Sequence, residues 1–285
     1  MTAACFLQVK AFGDLVIANA AAERVAEADR GRLALAIGEH LRPLCEAIEP
    51  KIRVVELATA EAGVPSIFDA RRNGTPAAAK SAWQVRRAIA RAPLDRSTLL
   101  LLDRLNWRER FIVGGRPATG MAAGTPNIYE GYDRLLAENG FRLQPAAAPA
   151  GGRHRAGIFP GSRIAAKNLP PSLVSETMRE LEQAGISTSL FLLEGERPDL
   201  EASGLPHVMV PRQFKALRDA IASMDVVISA DSLPAHLAES LGIDVFVLTP
   251  RPNEFWMPYS VFEKRRWSLF DDPDRMKRLH SMLTP

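Results

Sequence analysis

Met224–Pro250, MDVVISADSLPAHLAESLGIDVFVLTP, is the stretch whose reading decides the fold. Val226, Val227 and Ile228 form a short β-branched run, and Val245-Phe246-Val247-Leu248 forms a second apolar run. Between them Ala235–Leu241 reads as a short helix closed by Gly242, a residue that accepts the left-handed conformation in which helices often end. Continuous apolar strands suit a sheet buried on both faces, so strand, helix and strand here predict a βαβ unit of a parallel sheet. Ligands of such sheets sit outside the carboxyl ends of the strands. Asp231, Ser232 and His236 fall at that edge. Pro234 fits a first helical turn, and a helix start there would favour an anion. The plainer reading is that Asp231 or Ser232 only caps the helix. That reading leaves His236, one turn further on, unexplained.

Upstream, Gly157–Pro160 reads as a strand, followed by Pro160-Gly161-Ser162-Arg163 and Lys167-Asn168-Leu169-Pro170. Gly161 and Ser162 offer backbone amides and a hydroxyl, while Arg163 and Lys167 offer cationic donors. Together they make a workable diphosphate clamp without a metal. A plain surface lysine before a helix is the alternative for Lys167. Thr188–Leu193 is a strand ending at Glu194-Gly195-Glu196. Acidic residues after such strands commonly take ribose hydroxyls; Glu196 fits that slot best, with Glu194 as the alternative. Pro273–Leu283 has the spacing of an amphipathic helix. Asp271-Asp272-Pro273-Asp274 before it has the look of an acidic metal motif, but acids before a helix serve as caps, and no metal is assigned.

The first half opens with a strand at Cys5–Val9, a turn at Lys10-Ala11-Phe12-Gly13-Asp14 and an alanine-rich helix at Leu15–Ala28. Asp14 is either a functional carboxylate or a plain N-cap, with Gly13 supplying a tight turn. Leu33–Ile37, Ile52–Leu57 and Thr98–Leu102 are further strands, and Phe111–Val113 reads as a short one. Residues 58–76 are loop-like, with Arg71 and Arg72 either reaching toward an acid or solvated. Ala77–Ala92 is a helix with a basic face made by Lys80, Arg86, Arg87 and Arg91. Such a face is usually just exposed, although an anionic surface would suit it. Gln144–Gly152, QPAAAPAGG, has no apolar period and is the best linker in the chain. It sets a boundary between domains 1–148 and 149–272.

Asp231-Ser232-Leu233-Pro234-Ala235-His236-Leu237-Ala238 with Leu241-Gly242 resembles the D-S-G-P-x-H-L-A…L-G signature of glycosyltransferase family 9, which includes ADP-heptose:lipopolysaccharide heptosyltransferases. Pro160–Pro170 is similar to the family's P-G-[AS]-x…K-x-W-P stretch, with Leu169 in place of tryptophan. Lys10–Asp14 is similar to its K-x-x-x-G-D motif, one or two residues shorter. Leu233 stands where the family has glycine, which lets backbone approach the donor phosphates. The resemblance implies a GT-B fold of two Rossmann-like domains, their parallel sheets facing across a cleft. A terminal helix at about 273–285 is expected to pack back on the first domain. It further implies a nucleotide-diphosphate sugar, ADP-heptose by analogy, held by Gly161, Ser162, Arg163, Glu196, Asp231, Ser232 and His236. Lys167 would neutralise the departing diphosphate and Asp14 would serve as general base for a glycan or lipid-linked saccharide acceptor.

The 285 residues are 47% hydrophobic and 24% charged, as expected of a globular protein with two ordinary domains. A net charge of +3 fits an anionic ligand or membrane surface and is too small to argue for nucleic acid. Cys5 and Cys45 read as small core residues in a reducing compartment, and no Cys/His cluster suggests a metal. With no apolar run near membrane-spanning length, a cytoplasmic location is expected, compatible with peripheral contact with the inner membrane. Leu233 and the short first domain also motivate another reading, a degenerate GT-B nucleotide-binding or scaffold protein without transfer activity. A nucleotide-sugar epimerase of the same fold is a third.

Overall fold

The computed structural model describes residues 3–59, 74–145 and 154–283. The chain divides into two compact units, Met1–Ala146 and Ala147–Pro285. The division falls inside the Gln144–Gly152 stretch, most of which lies outside the described residues, as do Arg71 and Arg72.

The first unit is built on five parallel strands: β1 (Ala4–Gln8), β2 (Leu33–Gly38), β3 (Arg53–Leu57), β4 (Leu99–Leu102) and β5 (Ala118–Gly120), in the order β3-β2-β1-β4-β5. Every residue of β1 and β2 is buried, as an apolar strand covered on both faces must be. On one face Leu7, Ala36, Leu100 and Leu102 pack with Val85 and Ile89 of the helix Thr75–Arg91. Cys5 and Cys45 are buried free thiols, and burial pushes them up to about 12 and about 11. Residues Phe111–Val113, expected as a strand, belong instead to a helix, Trp107–Val113. Its start is fixed by the Asn106 side chain, which accepts from the Arg108 amide, and its end by Gly114 at φ 63°.

The second unit is a sheet of six parallel strands: β6 (Arg155–Phe159), β7 (Ser187–Leu193), β8 (Val208–Val210), β9 (Val226–Ala230), β10 (Asp244–Thr249) and β11 (Trp267–Leu269). Their order is β11-β10-β9-β6-β7-β8. The βαβ unit of the opening stretch is β9, the helix Leu233–Ser240 and β10, paired from Val226–Asp244 to Ala230–Leu248. The terminal helix, Arg275–Leu283, does not fit the expectation of a return to the first domain. Its apolar face is used by the second unit: Leu279, Met282 and Leu283 join Ile158, Leu173, Ile228 and Phe246 in one core. Arg275 also pairs with Glu176 of the helix Pro171–Gln183. Among the described residues no helix is long and apolar enough to cross a membrane.

In both units strand order reverses beside the first strand, between β1 and β4 and between β6 and β9. Connections leave such a point in opposite directions and open a crevice at the carboxyl ends.

Candidate functional site

In the second unit β6 lies beside β9, with Phe159 opposite Ser229, so the loops starting at Pro160 and Asp231 emerge together. Lys167 Nζ donates to Asp231 Oδ2 at 2.7 Å. Asn253 Nδ2, from the loop after β10, donates to the same oxygen at 2.8 Å. The Ser232 hydroxyl donates to the Gly161 carbonyl at 2.9 Å and ties the two loops directly. The side chains of Lys167 and Asp231 are 18% and 5% exposed, so this ion pair sits largely out of water, where charges act strongly on each other. His236 is buried one turn along the helix. Burial pushes its imidazole down to about 4; Asp231 pulls the other way and Lys167 adds to the fall. The ring is therefore neutral at neutral pH.

The capping explanation of Asp231 and Ser232 meets a correction here. Ser232 occupies the cap position of Leu233–Ser240, but its side chain makes no capping hydrogen bond. It bonds to Gly161 instead, while Asp231 serves Lys167 and Asn253. A helix start without a side-chain cap is the arrangement that accepts an anion. Leu233 opens this helix and is not among the residues with positive φ. The backbone does not require glycine there, so the leucine changes the space over the amides and not the fold.

The loop from Pro160 to Leu169 is held from beneath. Arg197, 3% exposed, donates to the carbonyls of Pro160 at 3.1 Å and Leu169 at 2.8 Å and pairs with Asp199. The Ser162 amide donates to Asn168 Oδ1 at 2.7 Å, and Ser162 Oγ accepts from the Ile164 amide at 3.3 Å. A Cβ on Gly161 would lie 2.2 Å from Glu196 Oε2, so glycine is what lets that carboxylate rest on the loop. Burial raises the Glu196 carboxyl above its usual value, against the pull of Arg212 and Arg197. Glu194 is exposed, its carbonyl taken by Arg212. Of the two glutamates, Glu196 is the one brought to the loop. Arg163 is solvent-exposed.

The second unit thus brings together Gly161, Ser162, Lys167, Glu196, Asp231, Ser232 and His236. Sequence reasoning missed Arg197 and Asn253. Asn253 had one available signal, its place in the loop after an apolar strand; Arg197 had none beyond following Glu196.

Asp14 belongs to the first unit. It lies in the first turn of the helix Phe12–Glu23, whose cap residue is Ala11, so Asp14 is not the N-cap. Beside that turn Lys10 Nζ donates to Asp103 at 2.8 and 3.0 Å and meets Glu109 Oε1 at 3.4 Å. Glu109 is buried, and its Oε2 has no hydrogen-bond partner. Gln8 donates to the Tyr132 hydroxyl at 2.9 Å. Burial pushes that phenol well above its usual value, and the negative charges of Asp103 and Asp14 push it further.

Among the described residues no group of three or more His, Cys, Asp or Glu is placed to hold a metal. In the Asp271–Asp274 run, Asp272 accepts from Ser268 Oγ at 2.7 Å and from the Asp274 amide at 2.9 Å, and pairs with Arg278. It organises a turn.

Comparison with known proteins adds lineage to this geometry. Residues 128–278, more than half of the chain, match the family described as Glycosyltransferase family 9 (heptosyltransferase). No curated protein matches the chain by sequence. Among solved structures, a family 9 glycosyl transferase from Veillonella parvula is similar with a TM-score of 0.63 and 15% identity, over 99% of this chain and 92% of that one. The ADP-heptose lipopolysaccharide heptosyltransferase II of E. coli gives 0.58 and 15%, over 98% of each chain. The E. coli heptosyltransferase WaaC with ADP gives 0.63 and 12%, over 98% of this chain and all of that one. At such identities the likeness shows the fold, which is GT-B: two α/β units with parallel sheets.

Proposed function

This chain belongs to glycosyltransferase family 9 and is a glycosyltransferase; from that premise we propose that it moves a heptose from ADP-heptose to a hydroxyl of a glycan or lipid-linked saccharide of lipopolysaccharide type. The observation that carries the reading is the Lys167–Asp231 pair at the second unit's strand reversal, beneath the Gly161 loop. The similar WaaC structure is one with ADP, which supports adenine as the base.

In this reading the acceptor hydroxyl gives its proton to the Asp14 carboxylate as its oxygen attacks the anomeric carbon. The bond from that carbon to the diphosphate breaks, and its electron pair leaves with the nucleoside diphosphate. Charge grows on the diphosphate as the bond stretches, so a cation already in place lowers the barrier without reorganising. Lys167 is that cation, held by Asp231, which Asn253 in turn orients. The uncapped start of Leu233–Ser240, the Ser162 hydroxyl and Arg163 supply further donors. Neutral His236 bonds to a sugar or phosphate oxygen without adding charge. Glu196 accepts from the ribose hydroxyls. Neutralisation comes from protein groups, and no metal or other cofactor is assigned. Buried free thiols fit a cytoplasmic setting.

The test offers the full chain a panel of nucleotide sugars with saccharide acceptors and follows products by mass. The expected result is a heptose added to a saccharide, with ADP released. Release of a free epimerised sugar, or nucleotide binding with no transfer to any acceptor, would overturn the reading.

A further inference from the structure

We propose that the outer face of the helices Thr75–Arg91 and Trp107–Val113 is a docking surface for an anionic lipid membrane. The inference stands apart from the sugar-transfer reading. Trp83, Trp107 and Phe111 are 53%, 74% and 41% exposed. They are the only aromatics among the exposed large hydrophobic residues of the described chain, and all three lie on these two helices. Exposed apolar patches of this kind mark interaction surfaces.

The three rings form one patch. Trp107 and Phe111 are four residues apart and share a helix face. The Phe111 ring lies 6.5 Å from that of Trp83. Arg86 sits over both, 6.0 Å from Trp83 and 5.1 Å from Phe111, and its Nη1 donates to the Phe111 carbonyl at 2.7 Å. Arg108 lies 5.4 Å from the Trp107 ring.

Along these two helices the exposed charge has one sign. Thr75–Arg91 carries Lys80, Arg86, Arg87 and Arg91 and no acidic residue. Trp107–Val113 adds the exposed Arg108 and Arg110. Its one acid, Glu109, is buried and turned to Lys10. Tryptophan sits at the headgroup level of a bilayer, where one part of the ring is apolar and the other wet. Arginine and lysine beside it reach lipid phosphates while their stems stay on apolar surface. A nucleic acid fits less well. Single strands bind by stacking bases on open rings, and Arg86 already covers Trp83 and Phe111. The chain's net charge of only +3 also makes the positive face a local feature.

The experiment is co-sedimentation of the full chain with phosphatidylcholine vesicles and with mixed phosphatidylcholine–phosphatidylglycerol vesicles. Binding is expected on the mixed vesicles, weak on the zwitterionic ones, and falling with salt. Lys80→Gln and Arg87→Gln should each weaken it roughly fivefold. Trp83→Gln with Trp107→Gln should weaken it further, and brominated lipid should quench the tryptophan fluorescence of the wild type. All four residues are exposed, so the melting temperature should hold, which separates lost docking from lost folding. Wild type that ignores the mixed vesicles, or folded variants that bind them as wild type does, would overturn the proposal. So would tighter binding to single-stranded DNA lost in the same variants.

Discussion

Each unit sets a lysine from the loop after its first strand against an aspartate from the loop after its fourth. In the first unit Lys10 meets Asp103 at 2.8 Å; in the second Lys167 meets Asp231 at 2.7 Å. Topology explains the likeness, since both loops leave the sheet where strand order reverses. The surroundings differ. Lys10 is shared with a second carboxylate, the buried Glu109, so the cluster carries surplus negative charge when both acids are ionised. Among the described residues Lys167 pairs with Asp231 alone, and that aspartate also meets two neutral groups, the Asn253 amide and an unprotonated His236. An arriving anion meets repulsion at the first cluster and a compensated pair at the second. One folding rule has thus placed two similar ion pairs, and in the proposed reading the neighbours decide which of them takes a diphosphate.

The contrast breaks most visibly at the lysines. Lys167→Gln should lower turnover by about 10²–10³-fold, the usual worth of one donor aimed at developing charge. It should cost less stability than the loss of Lys10 does, because Asp231 keeps its bond from Asn253. Lys10→Gln should do the reverse. It strips the partner from Asp103 and from a buried glutamate that already has one unsatisfied oxygen. The stability cost should be about 1–3 kcal/mol, read by urea denaturation. Equal losses of stability in the two variants would erase the distinction between a binding pair and a structural one.

Gly161→Ala sharpens the second cluster. The new methyl would start 2.2 Å from Glu196 Oε2, but a carboxylate at the end of a flexible side chain can swing aside. Folding should survive, while affinity for ADP, measured by calorimetry, should fall about tenfold through the lost charged hydrogen bond to ribose. If Glu196 is the cause, Glu196→Ala should weaken ADP equally, and the double variant should be no worse than either. Additive losses would remove Glu196 from the nucleotide site.

How much of this could be read from residues alone follows from the physics of each feature. The βαβ unit at Val226–Thr249 was legible because buried parallel strands are apolar throughout and the helix between them ends at a glycine. The positions of Lys167 and Asp231 after strand ends, and of His236 one turn into the next helix, were legible because local order already constrains them. Phe111–Val113 misled because three apolar residues carry no period; the helix is set by Asn106 and Gly114 on either side. β5 and β11, three residues each, are strands only because a neighbour pairs with them. Arg197 and Asn253 act through partners 37 and 22 residues away, which nothing local encodes. The terminal helix showed its apolar face in the spacing, but spacing does not say which core receives it.

The smallest expected effect separates two histidines, one beside each cluster. His40 Nε2 lies 3.4 Å from the Lys10 carbonyl, and His236 stands near Lys167 and Asp231. Burial lowers both rings, but His40 is only half-buried and its hydrogen bond pulls it back up. His236 is pushed from 6.5 to about 4. Between those values the unfolded chain holds a proton at this position that the folded chain has lost, so stability rises with pH there. Its contribution is complete above pH 6.5 and disappears as pH falls toward 4. Glu196 and Glu239, whose carboxyls burial raises, slope the other way, but they remain in wild type and variant alike. The difference in melting temperature between wild type and His236→Gln isolates the ring. It should shrink steadily as pH falls from neutral toward about 4.5, and the same difference for His40→Gln should change less. A His236→Gln difference that stays constant across that range would mean the folded ring titrates as it does in the unfolded chain, and Asp231 would then face two cations in mildly acidic solution.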